Sequence, residues 1–263
     1  MTNNLSLFRL WRLLRWQMPG SRMLFIILGV WVILFMSFHL IDVGMSNLNE
    51  EVLRRGAGKA VSSYWTIGAN MLCIAVCAMF TWLGNKPTAH GYLMLPSTMQ
   101  EKFVVSVLLF TVGNLILLFV GFIVSDVLCS CLYYMLYPAV FVSGLPDFVQ
   151  HLLLRDYYVE GHFELLALLD DLCPLVWWHS LCVLSATVIR RNAVLFAIVP
   201  LVLLFPFMWL RADYATEMAG GLYDSWTLPV SVLLSVLAAV HYVAAYKLFP
   251  LRTIVGHKYF AIL

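Results

Sequence analysis

Six polar or ionisable side chains fall inside or at the edge of otherwise apolar runs of this 263-residue chain: His39, Asn70, Asn114, Asp126, His179 and His241. Away from water such groups are costly, and they mark metal sites, proton relays or interhelical hydrogen bonds. A metal-dependent enzyme would need at least three of these ligands to converge at one depth. His39 and His241 lie near span ends, one at the outer end of the first span and the other nearer the inner end of the last, and Asp126 closes another run, positions where snorkelling or interfacial hydration satisfies them cheaply. His179 is different, lying centrally between Trp178 and Ser180. It can hydrogen-bond across a helix bundle, the ordinary use of such a side chain, or line a substrate path together with Asn70 and Asn114.

Other sources of chemistry are absent from the sequence. It holds no GxxxxGK[ST] phosphate loop, GxSxG elbow, HExxH helix or paired-carboxylate motif, so any ATP hydrolysis is expected on another polypeptide. Cysteines at 73, 77, 129, 131, 173 and 182 lack CxxC or Cys/His metal spacing. They are expected to be small packing residues, with a disulfide among Cys129, Cys131 and Cys173 as the alternative.

The elements that hold these residues follow from composition. The chain is 62% hydrophobic and 11% charged, where a soluble domain carries about a quarter charged residues. Stretches without Asp, Glu, Lys or Arg cover 23–41, 60–85, 103–125, 127–146, 172–189, 192–210 and 225–246. A helix rising ~1.5 Å per residue crosses the hydrocarbon with about 20 such residues, and in lipid only helices or closed barrels satisfy the backbone. Continuous runs without in-out alternation favour helices.

Charge placement then selects six crossings from seven candidates. If 127–146 does not cross, one side collects eleven of the sixteen Lys and Arg with Glu101 as its only acid, and the other keeps five bases with thirteen acids. Bases near span ends prefer the cytoplasm, which fixes the orientation. The expected fold is therefore all-α and integral to the membrane, a single transmembrane domain over 1–263. Spans are expected near 23–41, 64–83, 103–125, 172–189, 193–210 and 228–246, with N and C termini cytoplasmic. The run 127–146 then extends the third helix, lies at the outer interface or re-enters among the other helices.

Residues 5–18 read as an amphipathic helix, with Leu7, Leu10, Trp11, Leu14 and Met18 on one face and Arg9, Arg12 and Arg15 on another. Such a helix lies on the inner membrane surface, its arginines on anionic headgroups, unless it is only a basic anchor for the first span. The cytoplasmic stretch GNKPTAHGYLMLPSTMQEKF, 84–103, carries an apolar patch, Tyr92, Leu93, Met94 and Leu95, that needs burial against something. After Pro96 come two overlapping capping boxes, Ser97 with Gln100 and Thr98 with Glu101, which set where the third helix begins. Arg190, Arg191 and Asn192 leave room only for a tight hairpin between the fourth and fifth runs.

The segment LMLPSTMQEKF, 93–103, resembles the LPAS-x-x-EKF signature of bacterial ABC transporter permeases of the type-two exporter class. HSLCVLSATVIRRN, 179–192, is similar to the segment such permeases carry in the fourth span. Layout resembles the family over nearly the whole chain, motif only over these two stretches. Ser97 and Thr98 stand where the pattern usually has alanine then serine, which leaves the caps intact.

The resemblance implies that residues 5–18 are an elbow helix and that Tyr92, Leu93, Met94, Leu95, Pro96, Ser97, Thr98, Glu101 and Lys102 belong to the loop that docks on an ATPase. It implies a bacterial inner-membrane permease with a cytoplasmic ABC ATPase and a second permease subunit as partners, besides membrane lipids. ATP and Mg are expected on the partner ATPase, no cofactor on this chain, and no nucleic acid. The chain itself is expected not to be an enzyme. A metal-dependent intramembrane enzyme and a non-transporting membrane scaffold are the alternatives.

Overall fold

The computed structural model describes residues 11–15, 26, 29–37, 61, 64, 68–70, 72–77, 79–80, 94, 97–136, 143–152, 158–159, 162–163, 165–189, 193, 195, 199 and 222–255. The described helices are α1 (Met99–Leu136), α2 (Leu145–Leu152), α3 (Leu165–Val188) and α4 (Leu222–Val255), with further helical residues at 11–15, 29–37 and 72–77. One antiparallel pair of two-residue strands, β1 (Tyr158–Val159) and β2 (His162–Phe163), sets Tyr158 opposite Phe163.

Among the described residues two helices are long and apolar enough to cross a membrane, over Met99–Leu132 of α1 and Pro229–Pro250 of α4. Only 22% and 17% of their most apolar windows are buried within the chain. A soluble core helix hides most of its apolar surface; these expose Leu108, Val112, Ile116, Val120 and Ile123 on α1 and Val232, Val236, Val240 and Val243 on α4. Serines are satisfied locally along such helices, Ser106 Oγ on Lys102 O at 2.8 Å and Ser185 Oγ on Leu181 O at 2.7 Å.

Several expected boundaries move. The third span, expected at 103–125, is a 38-residue helix, about 57 Å long at 1.5 Å per residue. Of the fates open to 127–146, extension of the third helix holds as far as Leu136. The fourth begins at Leu165 rather than 172 and takes in Asp170 and Asp171, and the last runs over Leu222–Val255 rather than 228–246. Helical hydrogen bonding does not stop where apolarity does. The second is shorter than expected, since its helix gives way at Met79 and Phe80 to a turn closed by Met79 N–H on Val76 O at 3.0 Å. Residues 29–37 are helical as expected, and of the fifth span only 193, 195 and 199 are described, all helical.

The chain divides into two compact units. The first comprises Met1–Met18, Leu72–Thr111 and Leu165–Leu263. Its core joins Val76, Met79 and Phe80 to Phe103 of α1, Val183 and Ala186 of α3, and Ala245 and Phe249 of α4. Contacts fix directions: Cys173 meets Ser235, His179 meets Tyr242, and Val183 and Ala186 share the core with Ala245 and Phe249, so α3 and α4 run parallel. Cys73 bonds to Leu175 and Cys77 to Cys182, so segment 72–77 runs the same way. On α1, Phe103 lies by Tyr246 and Phe249, whereas Thr111 lies by His179, so α1 runs opposite.

The second unit comprises Pro19–Met71 and Val112–Glu164. Trp31, Phe35, Val61, Tyr64, Leu118, Phe122 and Phe148 form its core. Trp31 packs beside Gly121 and Phe35 beside Phe122, so segment 29–37 lies against the middle of α1. Gly68 faces Leu118, while Val61 faces Gly144, which is bonded to Asp126 of α1, so 61–68 runs against α1. Phe148 stacks on Phe122 at 3.9 Å with rings 12° apart, seating α2 on α1.

Candidate functional site

The start of α1 is built by one capping box. Glu101 N–H donates to Thr98 Oγ1 at 3.1 Å, Thr98 N–H donates to Glu101 Oε2 at 2.8 Å, and Lys102 N–H closes the first turn on Thr98 O at 3.1 Å. Of the two overlapping boxes in the sequence, Thr98 with Glu101 forms. Ser97 Oγ is instead buried with no hydrogen-bond partner. Both boxes compete for the same first turn, and only one residue can be its cap.

The side chains of the expected docking loop divide accordingly. Met94 is 73% exposed, while Glu101 and Lys102 are buried at 4% and 1%. Within the expected ATPase-coupling loop, Glu101 and Lys102 belong to the helix start and its packing. Tyr92, Leu93, Leu95 and Pro96 lie outside the described residues.

One residue on, α1 is fastened to two other helical segments by aromatic rings. Phe103 lies 5.5 Å from Phe249, 5.9 Å from Tyr246 and 6.4 Å from Phe80, and Phe80 lies 4.8 Å from Phe249. Such ring pairs contribute about 0.5–1.5 kcal/mol each beyond their buried area. Nothing in the sequence links these rings: Phe80 lies inside the run 60–85, Phe103 opens 103–125 and Phe249 follows Lys247 beyond 225–246.

The polar residues of the apolar runs part company. His179 is buried, with Nε2 2.9 Å from Thr111 Oγ1 of α1 and Nδ1 2.7 Å from Tyr242 Oη of α4. Its neighbour Ser180 has Oγ 3.2 Å from His241 Nδ1. His241 is therefore tied into the α3–α4 contact, not snorkelling to a surface as expected, because Ser180 and the Trp177 ring 6.5 Å away already face it. Thr111 and Tyr242 were not singled out in the sequence; a hydroxyl in a helix is ordinary until a partner is known. Asn114 is buried and Asn70 half-buried, and both have interactions within the chain. His39 lies outside the described residues.

Asp126 also departs from expectation. It is 5% exposed and holds the entry to α2, accepting from Ser143 Oγ and from Gly144 N–H, each at 2.7 Å. The partners lie seventeen and eighteen residues away in sequence, so an apparent interfacial carboxylate is satisfied by the chain itself. All six cysteines are free thiols. Cys73, Cys77 and Cys182 pack with Trp178 and Ala193, and Trp178 Nε1–H donates to Cys182 Sγ at 2.9 Å. Among the described residues no group of three His, Cys, Asp or Glu is placed to hold a metal.

At the N-terminus residues 11–15 are helical, with Arg12 and Arg15 exposed as expected. The buried face centres on Leu13, at 2%, and Trp11 is 61% exposed. The chain thus buries a residue adjacent to the expected apolar stripe and leaves Trp11 outward. Arg9 lies outside the described residues. Comparison with family models, curated proteins and solved structures returns no match.

Proposed function

We propose that this chain is the membrane-spanning permease subunit of an ATP-driven ABC exporter, a multi-pass protein of a bacterial inner membrane with six spans and both termini cytoplasmic. Supporting six crossings is the alternation of direction. In one unit segment 72–77, α3 and α4 run together and α1 runs against them. In the other, 61–68 runs against α1. Odd and even crossings of a chain that threads a bilayer alternate in this way.

The observation that carries the functional reading is the start of α1. The segment resembling the permease signature ends in a formed capping box, is preceded by the exposed Met94 and is followed at once by the aromatic junction of Phe80, Phe103 and Phe249. In this reading ATP closes a pair of separate ATPase subunits. Closure displaces the loop, and the stiff α1 carries the displacement into α4 and the second span. The central path between two permease subunits is thereby biased between inward-facing and outward-facing states. The chain performs no covalent step; ATP and Mg reside on the ATPase.

Co-purification tests this. Replacing Met94 by Asp, or Leu93 and Leu95 together by Asp, is expected to abolish recovery of a cytoplasmic phosphate-loop ATPase with the tagged chain while membrane insertion is unchanged. Recovery of the ATPase with these variants would place docking elsewhere and end the reading.

A further inference from the structure

The hydrogen-bonded row Thr111, His179 and Tyr242 ties three helices of the first unit together through one imidazole, which plays no part in the ATPase coupling proposed above. A neutral imidazole has one N–H and one lone pair. One flanking hydroxyl must therefore donate to the ring and the other accept from it. Both arrangements satisfy all three side chains, so the row is complete only while His179 is neutral or while both hydroxyls turn to accept.

The side chains facing the row are hydroxyls, thiols, an indole and a second imidazole. On α1 it meets Thr111; on α4 Tyr242, with His241 held by the adjacent Ser180. On α3 Trp178 and Cys182 lie within a turn, and segment 72–77 presents Cys73 and Cys77 to Trp178 and Cys182. Among the described residues no carboxylate is bonded to His179. A charge placed there has hydroxyl oxygens to donate to but no counter-ion among the described residues, and a buried unpaired charge costs far more than two hydrogen bonds return.

We infer that His179 is a proton-binding switch: the buried imidazole takes a proton from water, and the resulting imidazolium drives the contact of α1, α3 and α4 towards a state open to solvent. Proton balance is simple. A hydronium ion gives its proton to the lone-pair nitrogen and leaves as water. The hydroxyl that had donated to that nitrogen rotates its hydrogen away and becomes an acceptor, and no covalent bond between heavy atoms changes. The opened state exchanges burial of the charge for hydration.

Native thiols report the opening. Cys73, Cys77 and Cys182 are buried at 0–1% beside the row, whereas Cys131 is exposed and serves as the internal reference. The full chain in lipid nanodiscs is treated with 4,4′-dithiodipyridine, which remains reactive in acid, and modified peptides are quantified by mass. In the wild type, the rate of the buried thiols relative to Cys131 is expected to rise at least tenfold between pH 7.5 and pH 4. His179→Gln, whose amide can fill both bonds but does not titrate, is expected to hold the ratio flat, and His241→Gln to keep the rise. A flat ratio in the wild type overturns the switch, and so does an undiminished rise in His179→Gln. Should His179→Gln fail to insert, Tyr242→Phe, which takes one hydrogen bond from the closed neutral row and none from the hydrated open imidazolium, is expected to move the rise to higher pH; an unmoved rise overturns the assignment.

Discussion

The ring of Phe103, at the start of α1, lies 5.5 Å from that of Phe249, near the end of α4, with the planes 50° apart. Nearly 150 residues of sequence separate them, yet they meet because α1 and α4 run in opposite directions within one unit. Truncating either ring to Ala is expected to cost roughly 3–5 kcal/mol, the usual range for a buried phenyl. The double variant is expected to cost less than the sum, since each change removes the same contact. Thermal unfolding in detergent checks the magnitudes. Additive losses would show that the two rings are not coupled.

The cap at Thr98 offers a finer test. Thr98→Ala removes the acceptor for Glu101 N–H and is expected to lose about 1 kcal/mol, read as faster hydrogen exchange over 98–102. Glu101→Gln keeps an oxygen for Thr98 N–H and is expected to lose less. Ser97→Ala should be neutral or stabilising, because Ser97 Oγ is buried without a partner. A Ser97 effect larger than the Thr98 effect would mean that the other box caps the helix.

Asp126 pins α2 from a distance. Asp126→Ala leaves the Ser143 hydroxyl and Gly144 N–H without their acceptor and is expected to cost roughly 1–3 kcal/mol. Asn in its place keeps one acceptor oxygen and should fall between. Exchange of the amides of Gly144 and Phe148 is the local readout, since Phe148 N–H closes the first turn on Gly144 O at 3.0 Å. Unchanged exchange in the Ala variant would remove this role from the carboxylate.

Orientation is testable with a single thiol reagent. α1 carries the exposed Cys131 near its end, and Met94 precedes its start. In intact cells an impermeant maleimide is expected to reach Cys131 from outside, and to reach a Met94→Cys substitution only after the cells are opened. Labelling in the reverse order would turn the topology over.

The sequence made the helices legible but not their ends or their neighbours. Apolar runs located α1, α3 and α4, and the Thr98–Glu101 box placed the first residue of α1, because both signals are local. The far end of α1 was hidden by Asp126, whose charge reads as a boundary until Ser143 and Gly144 return to it. Lys102 reads as a rim base for the same reason, and its burial depends on how the helix start packs. His179 stood out as a buried polar residue, but Thr111 and Tyr242 did not, since their importance comes only from where two other helices pass. The parallel course of α3 and α4 likewise follows from contacts that no window along the chain contains.

Gly121 sets a limit on how α1 can move. A Cβ at that position would stand 2.7 Å from Trp31 Cβ, closer than such atoms approach. The residues one turn away, Leu117 and Ser125, both carry the atom for which there is no room. Axial sliding by a turn is therefore blocked in either direction while Trp31 stays seated.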